Sequence, residues 1–342
     1  MIHRELAPRS QKANELYGDY WFNGGPVLVS ALQGSAVLVF FWDYACAGSL
    51  RSLPYLMEWH RKYTPFGLAV VGVHTPRYAF ERDPQGVQDS LQRLHISFPV
   101  VMDNDGLIAS RYEIRSCPSF VLIDRHGYIR LHDSGGGNYL SIERALQGLL
   151  YDIGPSETLP FLTEPLREMD REGAVCYRST PDIEAGYLRG SLGNVEGYIP
   201  ESSIEYVDPG MYLDGRLYAK GIWRNNRESL SLDTDEKGDG HIFIEYQGLD
   251  VLGVLSSSGS KKLEVVVQQD DRFLTSENKG EDVRLDSEGK SCIEVGDPRL
   301  YSIVKNMDYG EHLLHLTAQN VPLTVYAFAF GTSVISEMVS KN

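Results

Sequence analysis

Cysteine is scarce in this chain of 342 residues: Cys46, Cys117, Cys176 and Cys292 are the full complement. No C-x-x-C pair, no H-E-x-x-H and no Cys/His cluster occurs, so neither a disulfide scaffold nor a structural zinc site is expected, and no cofactor is implied. Any chemistry rests on individual thiols. Long apolar runs are missing too, since none reaches the roughly 18 residues that a membrane span needs. The start, "MIHRELAPRSQKANELYGDYWF", has no apolar core behind a basic end and does not read as a signal peptide. The chain is therefore expected in the cytoplasm. Clusters of Lys and Arg are absent as well. With 32 basic and 47 acidic residues the net charge is −15, which argues against nucleic acid and anionic membranes as partners. The acidity reads as a solvated surface.

What is present divides in two, as the length predicts. Residues 1–152 alternate strand and helix signals. "AVLVFFW" (36–42) and "LAVVGVH" (68–74) are unbroken apolar runs, the mark of strands buried on both faces. "GSLRSLPYLMEWHRKY" (48–63) has helical spacing, interrupted by Pro54, and "PQGVQDSLQRLHI" (84–96) places Val87, Leu91 and Leu94 on one helical face. "FPVVMD" (98–103) is a short strand, "SFVLID" and "YIRLHD" a hairpin, and "YLSIERALQGLL" (139–150) a last helix. That order predicts an α/β domain around a mixed sheet. Residues 153–185 read as a linker. Residues 186–342 carry short alternating runs parted by Gly, Asp, Asn and Ser turns, which predicts an all-β domain, a jelly roll or β-sandwich.

Cys46 follows the first buried strand and opens the first helix. Unpaired N–H groups and the positive end of a helix dipole favour a thiolate there. The plainer reading is a small buried apolar residue. His74 ends the second strand at the same sheet edge, either within reach of the thiol or as a hydrogen-bonded loop histidine. "SGGGNY" (134–139) supplies tight turns before the last helix, whose start is a weak anion-site candidate. Cys176 and Cys292 read as packing residues.

"FFWDYACAGSLRSLPYL", "VVGVHTPRYAFERD", "FPVVMDNDGLIASRYEI" and "SCPSFVLIDRHGYIR", in that order, resemble the thioredoxin-like domain of the TlpA and AhpC/TSA superfamily. With "STPDIEAGYLRG", "DPRLYSIV" and "VYAFAFG" in the second half, the closest form is the soluble C-terminal region of DipZ-type proteins, where a β-sandwich resembling a carbohydrate-binding module follows. The resemblance spans about residues 35–335. It implies a thiol–disulfide oxidoreductase in which Cys46 attacks, Pro118 is the cis-proline facing the active-site turn, and Trp42 starts that turn. Ser49 stands where the family has its resolving cysteine, and Phe40 where it often has a buried carboxylate six residues before the attacking thiol. The usual dithiol cycle therefore cannot run here. Cys117, beside the cis-proline, could resolve in its place if the Cα atoms come within about 4.4–6.8 Å, or it could merely pack.

Three functional expectations follow. The first is thiol–disulfide exchange on a protein or small-molecule substrate, with Cys46 working as a monothiol or with Cys117, and with Ser49 donating a hydrogen bond to the thiolate. The second is an inactive thioredoxin-like scaffold joined to a lectin-like module. The third, peroxide reduction of the AhpC/TSA type, is weakened because Asp43 stands where peroxiredoxins place Thr or Ser and residues Val39 to Trp42 supply no proline. In the second domain, Trp223, Tyr218, Tyr212, Tyr246 and Tyr301 are candidates for sugar stacking, or else core.

Overall fold

Seven consecutive apolar residues, Ala36–Trp42, form the central strand of the first half, and every one is buried. The computed structural model describes residues 6–154, 157–233, 238–257, 262–319 and 321–335, and the chain falls into two units, 1–174 and 175–342. In chain order the first unit holds β1 (Trp21–Phe22), β2 (Ala36–Trp42), α1 (Ala47–Tyr63), β3 (Leu68–His74), α2 (Pro84–Arg93), β4 (Val100–Met102), α3 (Leu107–Arg111), β5 (Ser119–Ile123), β6 (Ile129–Ser134) and α4 (Tyr139–Ile153). The sheet order is β1-β4-β3-β2-β5-β6. β2, β3 and β4 run parallel, and β5 returns antiparallel beside β2.

Strand alternation explains why β2 has no polar face. Ala36, Leu38, Phe40 and Trp42 pack with Leu56, Trp59, Ile142, Leu146 and Leu149 of α1 and α4, while Val37, Val39 and Phe41 pack on the other side with Ile108 and Tyr112. Helices cover both faces, so both sets must be apolar. The helix expected to break at Pro54 is continuous from Ala47 to Tyr63. Pro54 lies on its exposed side, and the buried Leu53, Tyr55, Leu56 and Trp59 hold the turns on either side against the sheet. Tertiary packing thus overrides the proline's local preference.

Part of the span read as a linker is fastened to the first unit. The buried carboxyl of Glu143 accepts from Tyr63 Oη at 2.7 Å, Thr163 N at 2.8 Å and Thr163 Oγ1 at 2.8 Å. Tyr55 Oη donates to Asp170 at 2.8 Å and accepts from Leu166 N at 2.7 Å.

The second unit is mostly β. Its described strands pair antiparallel into one hydrogen-bonded set of eleven. Four of the short runs read from the sequence are two long strands, Gly240–Ser257 and Arg299–Ala318. They pair along their length from Gly240↔Ala318 to Leu255↔Arg299, with register shifts between Gly248/Asp250 and Val251/Leu252. The glycine and aspartate that signal a turn in the sequence mark a bulge instead. Most of the rings considered for sugar stacking are interior: Trp223 and Tyr246 are 0% exposed, Tyr301 2% and Tyr218 4%. Tyr212 is half-buried and stacks on Phe243 at 5.2 Å. Alternating strands turn half their side chains inward, and Trp223, Tyr246 and Tyr301 fall on that face, whereas Tyr218 lies on the opposite face against Tyr212.

Replacing Glu143 with Ala is expected to cost about 2–3 kcal/mol, because it leaves buried donors on Tyr63 and Thr163 without their acceptor. The same change should speed tryptic cleavage at Arg167 and Arg171. Unaltered cleavage would mean that the 157–170 segment is held by other contacts.

Candidate active site

β2 delivers the chain to the turn 43–46, and α1 starts at its far side. Cys46 is the N-cap residue, with extended φ −90° and ψ 117°. Its thiol is half-buried and donates to the Cys117 carbonyl at 3.5 Å. The Cys117–Pro118 peptide is cis. Gly48 lets the two loops meet, because a Cβ there would stand 2.9 Å from Pro118 Cδ and 3.7 Å from Cys46 Sγ. On the other flank, Gly135 N–H donates to the Pro118 carbonyl at 2.9 Å. Gly136, at φ +73°, would place a Cβ 3.6 Å from Pro118 Cγ. The "SGGGNY" glycines therefore serve the cis-proline loop. An anion at the start of α4 is disfavoured, since the Asn138 amide there is bonded to the Asp133 carboxylate at 3.0 and 3.1 Å.

The structure thus brings Cys46, Cys117 and Pro118 together, and Ser49 joins them. Ser49 is fully buried, accepts the Asp43 N–H at 3.4 Å, and supplies hydrogen bonds that stabilise the Cys46 thiolate. Trp42 and His74 lie deeper than expected. Trp42 is fully buried, edge-on to His74 at 5.6 Å, and its indole N–H has no partner. His74 is also fully buried, stacks on Tyr44 at 5.4 Å, and neither ring nitrogen is hydrogen-bonded. Burial pushes its pKa down to about 3, so the ring is neutral. Phe40 fills the family's carboxylate position with a ring packed on Phe120 at 5.1 Å and stacked on Trp42 at 6.3 Å.

A residue that the sequence reading passed over completes the site. Glu81, in the short turn Ala79–Arg82, is fully buried. Its carboxyl accepts from Arg77 N at 2.9 Å, Tyr78 N at 3.0 Å and Ala45 N at 3.3 Å. Asp43, also buried, accepts from the same Ala45 N at 3.0 Å and from the Cys46 N–H. Glu81 Oε1 is 3.9 Å from His74 Nε2. The local signal for Glu81 was a glutamate reaching back to the backbone that starts its turn, as in a capping box. Tyr78 in place of Ser or Thr disguised it.

Two carboxyls this close in an apolar setting cannot both ionise readily. Burial, eased by Arg77 and the backbone donors, leaves Asp43 raised to about 6. Burial and the Asp43 charge hold Glu81 well above the usual carboxylate range. The thiols respond to the same surroundings. Burial first, and then the Asp43 charge, push Cys46 up to about 11 against the pull of Ser49 and Arg77. Burial and Asp43 raise Cys117 as well. The expected helix-dipole effect is therefore overridden, and the resting Cys46 is a thiol.

Alkylation of Cys46 by iodoacetamide, followed by mass spectrometry of its peptide, should accelerate about tenfold per pH unit from pH 7 to 10, as the thiolate fraction grows. Ser49→Ala should shift that profile to higher pH by removing a hydroxyl that stabilises the thiolate. A wild-type plateau below pH 9 would contradict the assignment of burial and Asp43 as the dominant influences.

Comparison with known proteins agrees with this geometry. Residues 11–132 match the AhpC/TSA family, and residues 180–331 match the thioredoxin-like C-terminal domain family. Protein DipZ of Mycobacterium tuberculosis is 30% identical over 243 residues, which covers 70% of this chain and 34% of DipZ. Thiol-disulfide oxidoreductase ResA of Halalkalibacterium halodurans is 26% identical over 125 residues, covering 36% of this chain and 68% of ResA. A solved thioredoxin-like superfamily protein aligns at 26% identity and a TM-score of 0.38, over 44% of this chain and 100% of its own. The chain spans about a third of DipZ's length, 34%. The DipZ match is longer than either unit, so it enters both. The chain thus carries an AhpC/TSA-family region at 11–132 followed by a thioredoxin-like C-terminal domain at 180–331, and over 70% of its length it is similar to DipZ.

Proposed function

We propose that the protein is a thiol–disulfide oxidoreductase whose attacking group is Cys46 and whose second thiol, if one is used, is Cys117. The observation that carries this reading is the Cys46 thiol lying 3.5 Å from the Cys117 carbonyl, at the cis-Pro118 loop. The attacking sulfur bonds to one sulfur of a substrate disulfide, and the other leaves as a thiol. The Cys117 thiol, or an external thiol, then attacks the Cys46 sulfur, releases the substrate's second thiol and leaves Cys46 in a disulfide with the attacker, which a further external thiol reduces to regenerate Cys46. Pro118 orders the substrate backbone, and Ser49 donates to the Cys46 sulfur. Trp42 acts from beneath, holding the end of β2. The substrate class is protein disulfides or small-molecule disulfides. Peroxide reduction is the less favoured chemistry, since Cys46 carries a raised pKa and Asp43 places a negative charge beside it.

The second unit is a β-sandwich in this reading. Support comes from its two long bulged strands, each half of which takes different outer neighbours: 241–243 pairs with 218–220, and 251–257 with 323–330. Its role is structural, since the rings that would stack on sugar are mostly core. Cytoplasmic placement belongs to the same proposal and fits the sparse cysteines. No helix among the described residues is long and apolar enough to cross a membrane.

The test is reduction of a fluorogenic disulfide peptide by the reduced full-length chain. Cys46→Ala is expected to abolish activity. Cys117→Ala should trap the substrate on Cys46 as a mixed disulfide visible by intact mass. Trapping that is equally strong in wild type and Cys117→Ala would assign Cys46 as a monothiol. Turnover that survives Cys46→Ala, or none in wild type, would favour the inactive scaffold.

A further inference from the structure

The thiol chemistry just proposed leaves a proton without an acceptor. Cys46 rests as a thiol, and the position where the family often keeps a buried acid is Phe40, packed among rings. Exchange needs the thiolate. Some other group must take the proton during attack, or the reaction is confined to alkaline solution.

Two buried carboxyls stand at the turn that carries the thiol. Asp43 grips that turn through the N–H groups of Ala45 and Cys46, and Glu81 reaches the same Ala45 N–H at 3.3 Å from the loop after β3. They converge on one donor, the Ala45 N–H, and the Asp43 charge together with burial favours the protonated form of Glu81. Such a pair can accept one proton and release one without either carboxyl being fully charged beside the other. The groups facing it are the thiols of Cys46 and Cys117, the Arg77 guanidinium, the neutral His74 ring and the Tyr44 phenol. Arg77 is the one cation among them, and it favours the state in which the pair is negative.

We propose that the Asp43–Glu81 pair is the proton acceptor and donor of the Cys46 thiol, supplied from the end of β2 and the loop after β3 in place of position 40. This rests on the thiol-exchange reading above. As the Cys46 sulfur attacks, its proton passes to the negative pair. The new bond is Cys46 S–S substrate, the substrate's own S–S bond breaks, and its departing sulfur receives the proton back. Cys46 is oxidised to the mixed disulfide while one substrate sulfur is reduced to the thiol, and the pair returns to its initial charge. Asp43 also opposes the resting thiolate through its charge. Simple electrostatic influence and proton acceptance therefore predict opposite results when the charge is removed.

The experiment uses the full chain as wild type, Asp43→Asn and Glu81→Gln, with circular dichroism as the fold control. Two rates are followed from pH 5 to 10: alkylation of Cys46 by iodoacetamide, and reduction of the fluorogenic disulfide peptide. Asp43→Asn is expected to lower the apparent pKa seen by alkylation while slowing disulfide reduction near neutral pH by tenfold or more. It should also abolish the limb of the wild-type reduction profile that rises near pH 6. Reduction that instead speeds up in step with the thiolate fraction would overturn the proposal and leave Asp43 as a passive charge. Glu81→Gln provides the independent check if Asp43→Asn folds poorly, with the same pair of outcomes. A wild type that reduces no disulfide defeats the exchange reading itself. In that case the pair's role is read from alkylation alone: an apparent Cys46 pKa unmoved by either variant would overturn the linkage too.

Discussion

The complete burial of β2 is the constraint on which the site depends. A strand covered on both faces ends at Trp42 with no water beside it, so the next side chain, Asp43, emerges into an apolar setting. An isolated carboxylate there is prohibitively costly. The chain answers with backbone donors from its own turn, one of which, the Ala45 N–H, is shared with a second carboxyl from the loop after β3. Every electrostatic property of Cys46 follows from that arrangement. The helix N-terminus favours a thiolate by about 0.3–1 kcal/mol in ordinary surroundings, whereas desolvation of a buried charge moves pKa values by up to several units. The larger effect wins, and the thiol stays protonated.

The same constraint makes sense of the altered motif. At position 40 the Phe40 ring stacks on Trp42 and packs tilted against Phe120, filling the core beneath the active-site turn. Serine at 49 keeps a polar group against the Cys46 sulfur, in a position that is fully buried. Cys117 is the second thiol near the first, held by the cis-proline loop and by the glycines that press on it from both sides. The departures at 49 and 117 thus meet at Cys46, although they are far apart in sequence.

Much of this was legible because it is local. Cys46 stands between an unbroken apolar run and a helical pattern, and Pro118 precedes another such run, so strand ends and loops could be drawn from periodicity. Glu81 was not legible. "FERD" reads as a solvated turn, and its burial is created by chain that lies far away in sequence. α3 and β1 were missed because five and two residues carry too little periodicity. In the second unit, Gly248 and Asp250 wrote a turn signal into what is one long strand, because a bulge uses the same residues as a turn. Pro54 misled in the same manner, since packing on both sides of it outweighs its local cost.

What distinguishes this site from a remnant is the company the cysteine keeps. A cysteine retained only for packing behaves as a small apolar residue and is best surrounded by others. Cys46 instead faces a buried hydroxyl, a buried carboxyl pair and an arginine, while Trp42 and His74 keep unpaired nitrogens in the layer beneath. Each such group lowers stability relative to an apolar replacement of the same shape unless it is fully paired. A core free of functional demands is not expected to hold them. Position 40 is apolar, and the buried acids stand instead at Asp43 and Glu81, about the turn that carries the thiol. That asymmetry is what an inert fold does not require and a proton-coupled thiol does.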